Sequence, residues 1–122
     1  MNESADFDIA VIGGGIVGLA SAYKIMLSHP DIRIAVLEKE EKVAVHQTGH
    51  NSGVIHSGLY YTPGSNKAVT CIKGRKELVE FAKKHKIPYE ICGKIIVATK
   101  PKELANLETI LRNGQESNIE GI

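Results

Sequence analysis

Apolar residues gather first in two short runs, Ile9-Ala10-Val11-Ile12 and, interrupted only by Arg33, Ile32 to Leu37. Short runs of this kind are what strands show when a parallel sheet is covered on both faces. The stretch between them predicts a helix from about Ile16 to Leu27, ended at His29-Pro30-Asp31, because proline cannot continue a helix and pushes the residue before it toward extended geometry. Lys39 to Val45 reads as a loop or short turn carrying little chemistry. Helical spacing returns at Ala68, Val69, Ile72, Leu78, Val79 and Phe81, with Ser65 or Asn66 as the cap and Lys83-Lys84-His85-Lys86 at the carboxy-terminal end. Ile87 to Ile91 and Lys94 to Thr99, with Gly93 between them, predict an antiparallel pair of short strands. Pro101 opens a last helix whose Leu104, Leu107, Ile110 and Leu111 form one stripe.

Between the first strand and the first helix stands Gly13-Gly14-Gly15-Ile16-Val17-Gly18. Gly13 permits a turn straight from strand to helix, Gly15 lets a backbone approach a pyrophosphate, and Gly18 lets the helix pack hard on the strands. The helix amino terminus would then offer free N–H groups and its positive dipole end to phosphates. Glu38, twenty positions beyond Gly18 at the end of the second strand, is placed to accept hydrogen bonds from ribose hydroxyls. Glycines alone would be satisfied by a plain turn between core elements. The order strand, helix, strand, acid favours dinucleotide binding, and it leaves FAD and NAD both open because they share the adenosine diphosphate.

The 122 residues suffice for one small domain, and 15 basic against 14 acidic side chains leave no broad charge imprint for nucleic acid or an anionic membrane. With 5% aromatic residues and no Trp, stacking platforms for single-stranded nucleic acid are scarce too. No apolar run reaches membrane-spanning length, so no integral membrane segment is expected, and the polar, acidic amino terminus points to the cytoplasm. Cys71 and Cys92 are expected as buried small apolar residues. His46 and His50 are four apart, but no third clustered ligand accompanies them, so no metal is expected.

From His46 to Gly64 the chain is dense in glycine and hydrogen-bonding groups, poor in charge, and closes on Val54-Ile55 and Leu59-Tyr60-Tyr61. A solvated linker would carry more Lys and Glu, so this segment reads as a loop wrapped over a ligand. The glycine fingerprint, Glu38-Lys39, and then Thr48-Gly49-His50-Asn51-Ser52-Gly53-Val54-Ile55-His56-Ser57-Gly58 resemble the D-amino-acid-oxidase-like superfamily of FAD-dependent oxidoreductases. Within it, His46 to Lys67 is most similar to the L-2-hydroxyglutarate oxidase and dehydrogenase family, and Gly93 to Thr99 resembles the same family.

The resemblance implies FAD as cofactor, held by Gly13, Gly14, Gly15, Ile16, Val17, Gly18, Glu38 and Lys39, and then by Thr48, Asn51, Ser52, Gly53 and Val54 along the flavin. Thr48 and Ser52 would offer hydroxyls, Asn51 an amide, and Gly53 clearance for a planar ring. His56 would lie toward the reacting end as the candidate catalytic residue, and Tyr60 and Tyr61 would serve as wall packing. The implied partner is a small 2-hydroxy acid, with oxygen or a quinone taking the electrons and peripheral membrane contact open to a quinone-linked parent. Flavin oxidases of amines or amino acids, glycerol 3-phosphate dehydrogenase-like enzymes, and a non-catalytic NAD- or ADP-binding module remain as alternatives. The expected architecture is α/β: a Rossmann-like FAD-binding βαβ unit within 1–86, and within 87–122 the beginning of an antiparallel substrate-domain sheet. Without further strands returning to the nucleotide-binding sheet, the domain is expected to be incomplete.

Overall fold

The structure, a computed structural model, describes residues 6–122. In chain order its elements are β1 (Ile9–Ile12), α1 (Ile16–Ser28), β2 (Ile34–Leu37), α2 (Asn66–Lys84) and α3 (Leu104–Glu116), with one-turn 3-10 segments at Gln47–Gly49 and Pro101–Glu103. β1 and β2 pair in parallel, Ile9 opposite Ile34 through Ile12 opposite Leu37, and α1 crosses between them and lies against both. Parallel neighbours need such a crossover, since a tight hairpin can only reverse the chain. The expected βαβ unit is therefore present, as an incomplete Rossmann-like sheet of two strands among the described residues.

Chain contacts divide the molecule into two compact units, Met1–Gly53 and Val54–Ile122. In the first, the start of the sheet is pinned by Asp8 and Arg33. The Arg33 backbone N–H and Nε both donate to Asp8 Oδ2, at 2.8 and 3.2 Å, and a terminal guanidinium nitrogen reaches Oδ1 at 3.1 Å. This places Arg33 ahead of the ladder, so β2 begins at Ile34 rather than at Ile32 as expected. A Cβ on Gly18 would collide with the Gly13 carbonyl oxygen and lie 3.3 Å from a Val11 methyl, which is the close helix-to-strand packing its spacing implies.

In the second unit, the Ser65 hydroxyl accepts the Ala68 N–H at 3.2 Å and starts α2, and Lys83 and Lys84 lie in its last turn against the negative dipole end. Lys86, at φ 56°, then reverses the chain while the Ile87 N–H bonds back to the Ala82 carbonyl. α3 follows the Pro101–Glu103 turn, with Ile110 buried. Gly114 on α3 has no room for a side chain, because Leu59 and Ile122 close over it.

The antiparallel pair expected from Ile87–Ile91 and Lys94–Thr99 does not form; neither segment belongs to a ladder, and Ile95 is 90% exposed. An isolated two-stranded hairpin is marginal in water and needs a further strand or a helix on its apolar face, and Ile91, Ile95 and Val97 have no such cover. Cys92, expected inside, is exposed in this segment, and Cys71 is half-buried on α2 with its thiol 3.5 Å from the His56 carbonyl.

Candidate functional site

Both strands deliver their carboxyl ends, and α1 its amino terminus, to one side of the first unit, where residues 38–50 fold over them as a strap. A cleft of about 370 Å³ opens there. Gly13, Gly15, Glu38, Lys39 and Thr48 line it, as do the apolar Ile12, Leu37, Ala44 and Val45. Five of the expected cofactor residues are thus brought together by the βαβ topology, at the place where a doubly wound sheet binds ligands.

Glu38 is half-buried and held by backbone donors: the Gly14 N–H at 2.7 Å on one oxygen and the Glu40 N–H at 3.1 Å on the other. Those bonds, led by the one from Glu40, hold its carboxyl below the usual range, so it stays ionised. A carboxylate has about four lone-pair sites, so two fixed bonds leave acceptor capacity facing the cleft.

α1 starts at Gly15 without a cap from its own first residues. Thr48, from 32 positions downstream, supplies an acceptor instead: its hydroxyl takes the Ile16 N–H at 2.9 Å. That bond uses only an acceptor site, so the hydroxyl proton remains available to an anionic oxygen. A Cβ on Gly15 would come 3.3 Å from the same hydroxyl, so the space between them is kept by the missing side chain. The Ala44 N–H donates to the Gly14 carbonyl at 3.0 Å and fastens the middle of the strap, with Ala44 itself at φ 64°.

The remaining expected residues lie elsewhere. Gly14, Ile16, Val17 and Gly18 form the turn and first helical turn, Gly14 buried and Ile16 and Val17 largely exposed. Asn51 spends its amide on its own loop, donating to the Thr48 carbonyl at 2.8 Å and accepting the Gly53 N–H at 2.7 Å, so it shapes the turn that Ser52 and Gly53 continue. Val54 and His56 belong to the second unit, where both are exposed. Tyr60, expected as wall packing, is about half exposed, with the Lys94 ammonium 4.4 Å from its ring centre; Lys67 stands 5.3 Å from that of Tyr61. Among the described residues no group of three or more His, Cys, Asp or Glu could hold a metal ion.

The residues missed by sequence reasoning are Ala44 and Val45, which line the cleft although Lys39 to Val45 reads as carrying little chemistry; His46 and Gln47, also in the lining, open the segment read as a ligand-covering loop. The apolar run Val43-Ala44-Val45 in a charged stretch was the one signal available; the positive φ of Ala44 leaves no trace in residue type.

These features fit a dinucleotide. A helix amino terminus, a cradle that Cβ atoms would fill, an acid at the end of β2 and an apolar wall meet the needs of phosphate, ribose and a flat base in turn.

The comparisons with known proteins agree with that fit. The family described as "FAD dependent oxidoreductase" matches residues 8–121. The chain is 53% identical to L-2-hydroxyglutarate dehydrogenase of Indibacter alkaliphilus, over 95% of its own length and 29% of the relative's. It is 50% identical to the mitochondrial L-2-hydroxyglutarate dehydrogenases of Pongo abelii and Homo sapiens, in each case over 98% of its own length and 29% and 26% of theirs. The chain therefore spans less than a third of the length of these curated relatives. The cytoplasmic location expected from the amino terminus does not stand, since the ape and human relatives are named as mitochondrial. Compartment is carried by targeting segments and not by the residues that direct a fold, so the composition of seven residues was a poor guide. Among the described residues no helix is long and apolar enough to cross a membrane.

Proposed function

Because the chain belongs to the FAD dependent oxidoreductase family, we propose that it forms the amino-terminal FAD-binding portion of an enzyme oxidising a 2-hydroxy acid, L-2-hydroxyglutarate, to 2-oxoglutarate. The observation that carries the binding assignment is the single cleft joining the α1 amino terminus, the ionised Glu38 and the Thr48 hydroxyl. The names of relatives at about half identity support the substrate. In this assignment residues 1–86 belong to the FAD-binding domain and 87–122 begin the substrate domain.

FAD, when bound, accepts the hydride that leaves the substrate's α-carbon. The chain's own residues bind and orient it. The first N–H groups of α1 would hold the pyrophosphate, Glu38 would accept from the ribose hydroxyls, and Thr48 would offer its hydroxyl as a donor to a phosphate oxygen while keeping the Ile16 N–H. Asn51, Ser52, Gly53 and Val54 carry the chain along the flavin, and His56 takes the substrate hydroxyl proton as general base. Oxygen, a quinone or another acceptor would then take the electrons. Turnover belongs to the longer protein, because a site built from a third of its residues cannot hold the substrate against the ring.

Two measurements test the proposal. In thermal-shift titrations at equal ligand concentrations, FAD should stabilise the chain well beyond ADP, its own stabilisation reaching around 2.7 kcal/mol at about 100 times its dissociation constant; equal shifts with FAD, NAD and ADP would remove the support for flavin. In the natural polypeptide under anaerobic conditions, L-2-hydroxyglutarate should bleach the flavin absorbance. Bleaching by an amino acid or by glycerol 3-phosphate in its place would overturn the substrate assignment.

A further inference from the structure

Three bonds that pH leaves alone near neutrality tie the strap over the cleft to the glycine turn and the start of α1: Glu38 to the Gly14 N–H, the Ala44 N–H to the Gly14 carbonyl, and Thr48 to the Ile16 N–H. A fourth tie runs across the strap itself. The Nε2 of His46, a cleft-lining residue, lies 3.1 Å from Glu40 Oε1. This pair connects the end of the strap leaving β2 to the end that carries Thr48, so its strength bears on how firmly Val45 to Thr48 are held over the cleft.

We propose that His46 and Glu40 form a pH-operated latch on the cofactor cleft: protonated His46, gripped by the Glu40 carboxylate, holds the strap closed and tightens FAD binding, and loss of the proton relaxes it. The latch rests on the FAD assignment above and makes His46 a positioning residue, acting through the strap.

Few other groups compete for His46. Lys39, also on the strap, shares the same Glu40 oxygen at 3.4 Å and weakens the grip without removing it. The Glu38 carboxylate feels the His46 charge from the end of β2 and adds attraction of the same sign. His50 turns its Nδ1 to the His46 carbonyl, 2.8 Å away, and so faces the backbone of His46. β1 and the first turn of α1 hold no titratable side chain. Glu40 is the more sheltered partner, at 39% exposure against 59% for His46, so the pair is only partly screened by solvent.

The sign of the effect follows from the charge. The attraction exists while His46 is protonated and is lost as the proton leaves, so FAD affinity should be higher on the acid side and fall across neutrality. For a partly exposed pair the change is about threefold between roughly pH 5.5 and roughly pH 8.5.

The test is the FAD dissociation constant of the natural polypeptide, read from flavin fluorescence across that interval, for the wild type and for His46→Gln and Glu40→Gln. Both variants should flatten the pH dependence and match the wild type's weaker, alkaline affinity, while His29→Gln, at the far end of α1, should keep the wild-type slope. If Glu40→Gln does not fold, His46→Gln decides alone. A wild-type slope in His46→Gln, or a flat wild type that still binds FAD, would overturn the latch and leave the cofactor assignment intact. No FAD binding by the wild type at any pH would overturn both.

Discussion

The two units of this chain use hydrogen bonds over very different distances. In the first, the bonds that shape the structure join residues far apart in sequence: Gly14 to Glu38 over 24 positions, Asp8 to Arg33 over 25, Ile16 to Thr48 over 32. In the second they are mainly local, such as Ser65 to Ala68, Thr70 to the Asn66 carbonyl, Thr109 to the Ala105 carbonyl, and Glu103 to the N–H groups of Thr99 and Lys100. Long-range closure produces a concave site. Local bonding produces well-started helices with open apolar faces, and it leaves Ile91, Ile95 and Val97 largely in solvent. The lesson is that helical content is a poor guide to where function resides in this chain, and the distance over which polar groups are satisfied is a better one.

The sharpest way to break this contrast is to exchange glycines. Gly18→Ala drives a methyl into the Gly13 carbonyl and should cost about 2–3 kcal/mol of unfolding free energy in urea titration. Gly74→Ala, on α2 with nothing within 4 Å of the new methyl, should be neutral or gain up to about 1 kcal/mol. Equal effects would mean the first unit is no more tightly closed than the second. Next in size, Thr48→Val leaves the Ile16 N–H without its acceptor and should weaken FAD binding by about tenfold, with Thr48→Ser close to wild type. If valine binds FAD as well as serine does, the long-range bond has no part in the site.

A smaller effect is expected at Ile95→Lys, where 90% exposure predicts a change within about 0.5 kcal/mol. A larger loss in the same urea titration would show the segment to be packed and would erase the difference between the units. The smallest effect concerns acid. The Arg33 side chain holds the Asp8 carboxyl below its ordinary range, so the pair stabilises above the unfolded value of about 3.9 and its contribution disappears as pH falls through the lower, folded value. Asp8→Asn should therefore lose less stability than the wild type on acidification below about pH 4, measured by denaturation at several pH values. An unchanged acid profile would make that tie at the base of the sheet dispensable.

Local patterns reached far into the fold. β1 has the expected bounds, α1 and α2 differ from expectation at their ends only, and Ser65 caps α2 as its residue type suggests. The glycine spacing and Glu38 led to the side of the sheet where the cleft lies, because each of those residues answers a local demand for a tight turn, a close approach or an acid at a strand end. The strands drawn at 87–91 and 94–99 failed for the opposite reason, since a lone pair of short strands needs a further packed layer that its own residues do not contain. Reading 39–45 as empty failed likewise. Ala44 and Val45 matter through what they lie against, and Ala44 reaches its place by a left-handed backbone that alanine does not advertise.

By itself the sequence determined the order strand, helix, strand, the approximate spans of α1 and α2, and the glycines and acid that line the cleft, because these follow from periodicity, side-chain bulk and charge within a few residues. Only the tertiary structure decided that Thr48 caps α1 from 32 positions away, that Glu38 is steered by the Gly14 and Glu40 N–H groups, and that His46 meets Glu40 across the strap. Those contacts depend on where a loop returns in space, and chain closure over such distances is set by the packing of the whole unit and not by the residues that happen to meet.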